Sequence, residues 1–74
     1  MIYTDGVHLV ADTLDELHGF AREMGLKIEW FQPSKRHPHY DLTTPKTVRR
    51  ALKLGALFVT SKKIVNISKR MTRS

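Results

Sequence analysis

The stretch from Thr13 to Gly25 constrains the fold more than any other part of the chain. Leu14, Leu17, Phe20, Ala21 and Met24 recur at helical spacing, while Asp15, Arg22 and Glu23 fall off that stripe. Thr13 followed by Glu16 fits a capping box, and Gly25 stands where a left-handed C-cap belongs. A helix with one apolar face needs a surface to cover. The β-prone run Val7-His8-Leu9-Val10-Ala11 just before it supplies one.

The same strand-then-helix pattern is read twice more. Lys27-Ile28-Glu29-Trp30-Phe31-Gln32 reads as a strand in which Trp30 and Phe31 alternate, so that one is core and an exposed Trp30 can stack on a base. A proline-broken connection from Pro33 to Leu42 follows. Thr44 is the expected N-cap of a second helix with Pro45 at its first position. Val48, Ala51 and Leu52 form its expected buried face, with Leu54 at the margin, and Gly55 ends it. The third unit is Ala56-Leu57-Phe58-Val59, a Thr60-Ser61 cap, and a helix from Lys62 to about Arg70. Its apolar stripe is Ile64, Ile67 and Met71, with Val65 beside it. Ile2-Tyr3-Thr4 adds an edge strand through Asp5-Gly6. Alternation of this kind predicts an α/β fold, a two- or three-layer βαβαβα domain with a mainly parallel three- to four-stranded sheet. With 74 residues, one domain over 1–74 is expected, ending in a basic tail at about 69–74. A core this small fits a monomer or a homodimer.

Charge is distributed unevenly. Residues 1–42 carry all seven acidic side chains against four basic ones, and residues 43–74 carry nine basic side chains and no acid. The second half therefore makes a positive field that draws polyanions, DNA or RNA first among them. Lys46, Arg49, Arg50 and Lys53 lie opposite the buried face of the second helix. Lys62, Lys63, Lys69 and Arg70 do the same on the third. Surface helices ordinarily mix signs, and these two do not. No RNP, KH or zinc-finger pattern is present, nor a glycine-rich phosphate loop, so base-specific reading is not expected.

With no cysteine, disulfides, thiolate metal sites and cysteine nucleophiles are excluded. The longest apolar run, Ala56 to Val59, is far too short to cross a membrane, and the start of the chain lacks the pattern of a secretory signal. No membrane partner and a cytoplasmic location are expected. No cofactor is specified.

In an open parallel sheet, ligands bind beyond the carboxyl ends of the strands. Those ends carry Asp12-Thr13, Gln32 and the connection after it, and Thr60-Ser61-Lys62. Thr13, Thr44 and Ser61 also have the simpler role of capping helices. The richest stretch is Arg36-His37-Pro38-His39-Tyr40-Asp41. Extended, it points His37, His39 and Asp41 to one side, a set that can ligate a divalent metal or divide acid and base roles. His8 and Asp12 are expected to approach the same place. His8, Asp12, His39, Tyr40 and Asp41 are thus the catalytic candidates. His18 reads as a half-buried packing residue.

Several blocks also resemble a known family. They are His8-Leu9-Val10-Ala11-Asp12-Thr13, then Glu16-Leu17-His18 with Phe20-Ala21, then Trp30-Phe31-Gln32, then His37-Pro38-His39-Tyr40-Asp41-Leu42-Thr43, and finally Ala51-Leu52-x-x-Gly55-Ala56 before Thr60-Ser61. In this order they resemble the small bacterial and phage family called domain of unknown function 4031. The resemblance implies a compact stand-alone protein, often phage-encoded, and points to His8, Asp12, His18, Gln32, His39, Tyr40 and Asp41. Family members carry a longer basic segment where this chain has only Asp5-Gly6-Val7, which implies a more open site or a reduced function here.

Three functions follow as expectations. The first is a phage-type accessory protein binding nucleic acid, or a phosphorylated partner, through the basic helices. The second is a small enzyme or nucleotide- or metal-binding protein using the His/Asp/Tyr residues. The third is a modulator of a host protein.

Overall fold

A computed structural model gives the fold and describes residues 1–33 and 38–71. In chain order it has β1 (Ile2–Thr4), β2 (His8–Ala11), α1 (Leu14–Glu23), a 3-10 turn at Ile28–Trp30, β3 (Phe31–Gln32), β4 (His39–Asp41), α2 (Pro45–Lys53), β5 (Leu57–Phe58) and α3 (Ser61–Met71). The class is mixed α/β, with the strands in one sheet ordered β3-β4-β2-β1-β5.

That sheet is not mainly parallel. β1 with β2, β2 with β4 and β3 with β4 are antiparallel, and only β1 with β5 is parallel. Connection length explains the correction. Asp5-Gly6-Val7 is too short for a crossover and can only turn the chain back, whereas the α2 connection is long enough to carry β5 to the far edge. The sheet has five strands rather than three or four because His39-Tyr40-Asp41, expected within an irregular connection, pairs on both sides. β1 is likewise no edge strand, lying between β2 and β5.

The segment expected as a strand over Lys27–Gln32 is mostly otherwise. The Trp30 amide donates to the Lys27 carbonyl at 2.9 Å, closing the 3-10 turn and leaving only Phe31 and Gln32 to pair with β4. Phe31 packs against the core and Trp30 is the exposed member of the pair, with Lys27 Nζ 5.9 Å from its ring centre.

The helices begin where their caps predict. Thr13 Oγ1 accepts from the Glu16 amide at 3.2 Å, and Thr44 Oγ1 accepts from the Thr47 amide at 3.2 Å with Pro45 as the first helical residue. Thr60 Oγ1 accepts from the Lys63 amide at 3.3 Å. The capping box at α1 is half closed, because the Glu16 carboxylate pairs with the N-terminal ammonium of Met1 instead.

β2 is the centre of the molecule, with Leu9, Val10 and Ala11 fully buried. Register and strand alternation divide its two faces. Leu9 stands beside Thr4 and Tyr40 on one, while Val10 stands beside Tyr3, and His8 beside Asp41, on the other. α1 covers the first face with Leu17 and Ala21, and α3 covers the second with Ile64, Ile67 and Met71. Of the two expected layer counts the molecule takes three. α2 contributes less than its pattern promised: Ala51 is buried and Val48 half-buried, but Leu52 is exposed. Among the described residues no helix is long and apolar enough to cross a membrane.

Candidate functional site

The turn between β1 and β2 builds one wall of a pocket. Thr4 Oγ1 accepts from the Gly6 amide at 3.0 Å, and Gly6 takes φ +94°, a conformation that favours glycine. Asp5 Oδ1 accepts from the Val7 amide at 3.0 Å and the His8 amide at 2.8 Å. Its other oxygen, Oδ2, faces His8 Nδ1 at 3.0 Å and accepts from the Ser61 hydroxyl at 2.8 Å. The Asp5 side chain is only 4% exposed. Burial by itself pushes the carboxyl pKa up, but the bonds from the two amides, the imidazole and the hydroxyl outweigh it. They hold Asp5 well below the usual carboxylate range, so it is an anion at neutral pH.

β4 builds the opposite wall. Two residues apart on one strand, His39 and Asp41 face the same side, and pairing sets Asp41 directly beside His8. The His8 and His39 rings meet edge to face with centres 4.9 Å apart, and His39 Nε2 lies 3.1 Å from Asp41 Oδ1. One donor atom from each of His8, His39 and Asp41 falls within 4.8 Å of the others. α3 roofs His8 and His39 over a cavity of about 170 Å³, whose apolar lining includes Val10, Ile64 and Val65. At its edge Ser68 donates to the buried Pro38 carbonyl at 2.9 Å, tying α3 to the start of β4.

Of the residues expected to converge, His8, His39 and Asp41 do. Asp12 does not: it is four residues beyond His8 on the same strand line, about 13 Å away at strand rise. There it accepts from Tyr3 Oη at 3.1 Å and pairs with the N-terminal ammonium at 3.3 Å. Tyr40 belongs to the other face. Its ring is 1% exposed and its hydroxyl shares a 2.8 Å hydrogen bond with His18 Nδ1, which also packs edge-on to Phe31. Burial raises the Tyr40 pKa, so its hydroxyl stays protonated at neutral pH. His18 is thus the half-buried packing residue the sequence indicated. Gln32 is exposed on edge strand β3 opposite His39. His37 and Arg36 lie outside the described residues, as does the end of the basic tail at 72–74. Sequence reasoning missed Asp5, and it read Ser61 as a strand-end residue or a helix cap without its bond to Asp5. An Asp-Gly turn three residues before a histidine was the available signal for Asp5.

The basic candidate side chains lie on two helices. Lys46, Arg49, Arg50 and Lys53 are all exposed and line one shallow hollow with Leu54. On α3, Lys62 and Lys63 lie in the first turn at the pocket end. Lys69 and Arg70 lie in the last turn, at the end where Arg70 acts on Tyr3.

A protein-family model matches residues 4–71. The chain belongs to DUF4031, a family described as a protein of unknown function. The match spans both walls of the pocket and all of α3, in agreement with the blocks read from the sequence. No curated protein and no solved structure matches this DUF4031 chain.

Proposed function

We propose that this protein binds the phosphate backbone of nucleic acid through the outer face of α2. The observation that carries the reading is a line of four cations, Lys46, Arg49, Arg50 and Lys53, on one side of a nine-residue helix. Among the described residues none of the four has a carboxylate partner. Like charges at this spacing cost each other about 0.2–0.5 kcal/mol per pair. A polyanion relieves that cost.

Lys46 and Lys53 are separated by about 10.5 Å of helix rise, so the four side chains form one compact positive patch. A backbone contact of this type gives affinity without base selection, which agrees with the absence of any base-reading motif.

The test is fluorescence anisotropy of a labelled DNA duplex with the full chain across a salt series. Four phosphate contacts predict a log–log salt slope near −3.6, or roughly a 100-fold weakening between 50 and 200 mM salt. Arg49→Ala and Arg50→Ala should each flatten the slope by about one. Salt-independent binding, or variants indistinguishable from the parent, would overturn the reading.

A further inference from the structure

The pocket between the sheet and α3 holds a second, independent feature. We propose that His8, His39 and Asp41 form a binding site for one divalent transition-metal ion of the zinc type. The inference goes beyond nucleic-acid binding and stands without it.

Three observations converge. First, the donors are two imidazoles and a carboxylate from adjacent strands, all within 4.8 Å of one another. Ligands sharing one ion at bonds near 2.0–2.2 Å sit roughly 3–4 Å apart. The 3.1 Å between His39 Nε2 and Asp41 Oδ1 is already in that range, and the His8 donor, within 4.8 Å of both, has to close by roughly an ångström.

Second, the surroundings are those that orient a ligand. Asp5 holds His8 Nδ1 at 3.0 Å, and its own position is fixed by two backbone amides and Ser61. A carboxylate on one ring nitrogen fixes the tautomer and leaves Nε2 as the ligating atom. Asp5 is also an anion by geometry rather than by exposure, since its side chain is 4% exposed and four hydrogen bonds satisfy it.

Third, the donor set discriminates among metals. Nitrogen-rich sites suit zinc, cobalt, nickel or iron, whereas magnesium and calcium demand oxygen ligands. Three protein ligands are one short of a closed structural zinc site, which is the composition of centres that keep a position for water. A cavity of about 170 Å³ lies beside His8 and His39.

The experiment uses the full chain freed of metal with a chelator and titrated with Zn²⁺ against a chromophoric competitor, then with Co²⁺ followed by visible absorption. One equivalent should bind, with Co²⁺ giving the intense bands of a low-symmetry site. His39→Gln and His8→Gln should each lose binding by at least 100-fold, while Asp5→Asn should weaken it 10- to 100-fold at unchanged stoichiometry. His18→Gln, on the opposite face, should bind as the parent does. Should a pocket variant fail to fold, NMR of the unaltered chain decides: Zn²⁺ must move the His8 and His39 imidazole signals and leave that of His18 in place. Absence of one-equivalent binding, shifts confined to His18, or equal losses in His18→Gln and His39→Gln would overturn the proposal.

Discussion

The two faces of the central sheet each carry histidine, and they use it in opposite ways. On the α1 face His18 is clamped between Phe31 and the buried Tyr40, its Nδ1 spent on the Tyr40 hydroxyl. On the α3 face His8 and His39 each lie against a carboxylate, beside a cavity and with their rings part-exposed. The same β4 strand serves both, since Tyr40 points one way and its neighbours His39 and Asp41 the other. Alternation along three residues therefore separates a packing network from a chemical one. A residue in this sheet acquires its role from its parity.

The largest test of that contrast is in packing. Leu17 is fully buried on the α1 face, so Leu17→Ala should cost about 2–5 kcal/mol in urea denaturation. Val65, which lines the α3-side cavity and is 37% exposed, should lose less than about 1 kcal/mol on truncation. Equal losses would mean that the pocket face is as tightly filled as the other.

Asp5 gives the next effect. Asp5→Asn should cost about 1–3 kcal/mol at neutral pH, because the hydrogen bonds it accepts favour the anion. The sign of the pH dependence follows from the depressed pKa. The contribution is fully present above the ordinary carboxylate value near 3.9 and is lost as pH falls through the folded value. Parent and variant should therefore differ most above about pH 5, with the gap starting to shrink near pH 4 and closing only as pH nears the depressed folded value. A gap that widens in acid would show that Asp5 is not the stabilising anion.

Tyr40→Phe isolates the other network. It removes only the hydroxyl that meets His18 Nδ1 and should cost about 1 kcal/mol, with no change in the histidines across the sheet. Perturbation of the His8 and His39 NMR signals in this variant would mean that the two faces are coupled through β4.

How these faces arise was only partly legible in the sequence. α1 and α2 were readable because caps and spacing are local: Thr13, Gly25, Thr44 and Pro45 each act on the nearest turn. The sheet was not, because its order depends on pairings between distant residues such as Leu9 with Tyr40 and Thr4 with Phe58. β4 was hidden by its shortness and by Pro38 just before it, which looked like a loop. Alternation in an extended chain already set His39 and Asp41 on one side and Tyr40 on the other, but residue type could not tell that Asp12 stood at the far end of β2. Asp5 looked like turn chemistry, and it is that as well: one oxygen makes the turn and the other holds the histidine.

Ser61 gives the smallest expected effect and the finest resolution of the comparison. Its hydroxyl is one of the groups on Asp5 Oδ2, but the residue is exposed, so water replaces the bond at little cost. Ser61→Ala should change stability by less than about 0.5 kcal/mol. The Asp5 carboxyl, followed by its carbon NMR signal in a pH titration, should nevertheless titrate higher than in the parent, because one bond favouring the anion is gone. The two amide bonds remain, so it should still titrate below an ordinary aspartate. A carboxyl that returns fully to the ordinary value would assign its depression to α3 rather than to the β1–β2 turn. The α3 face would then be built by the helix, and the parity of the strands would only permit it.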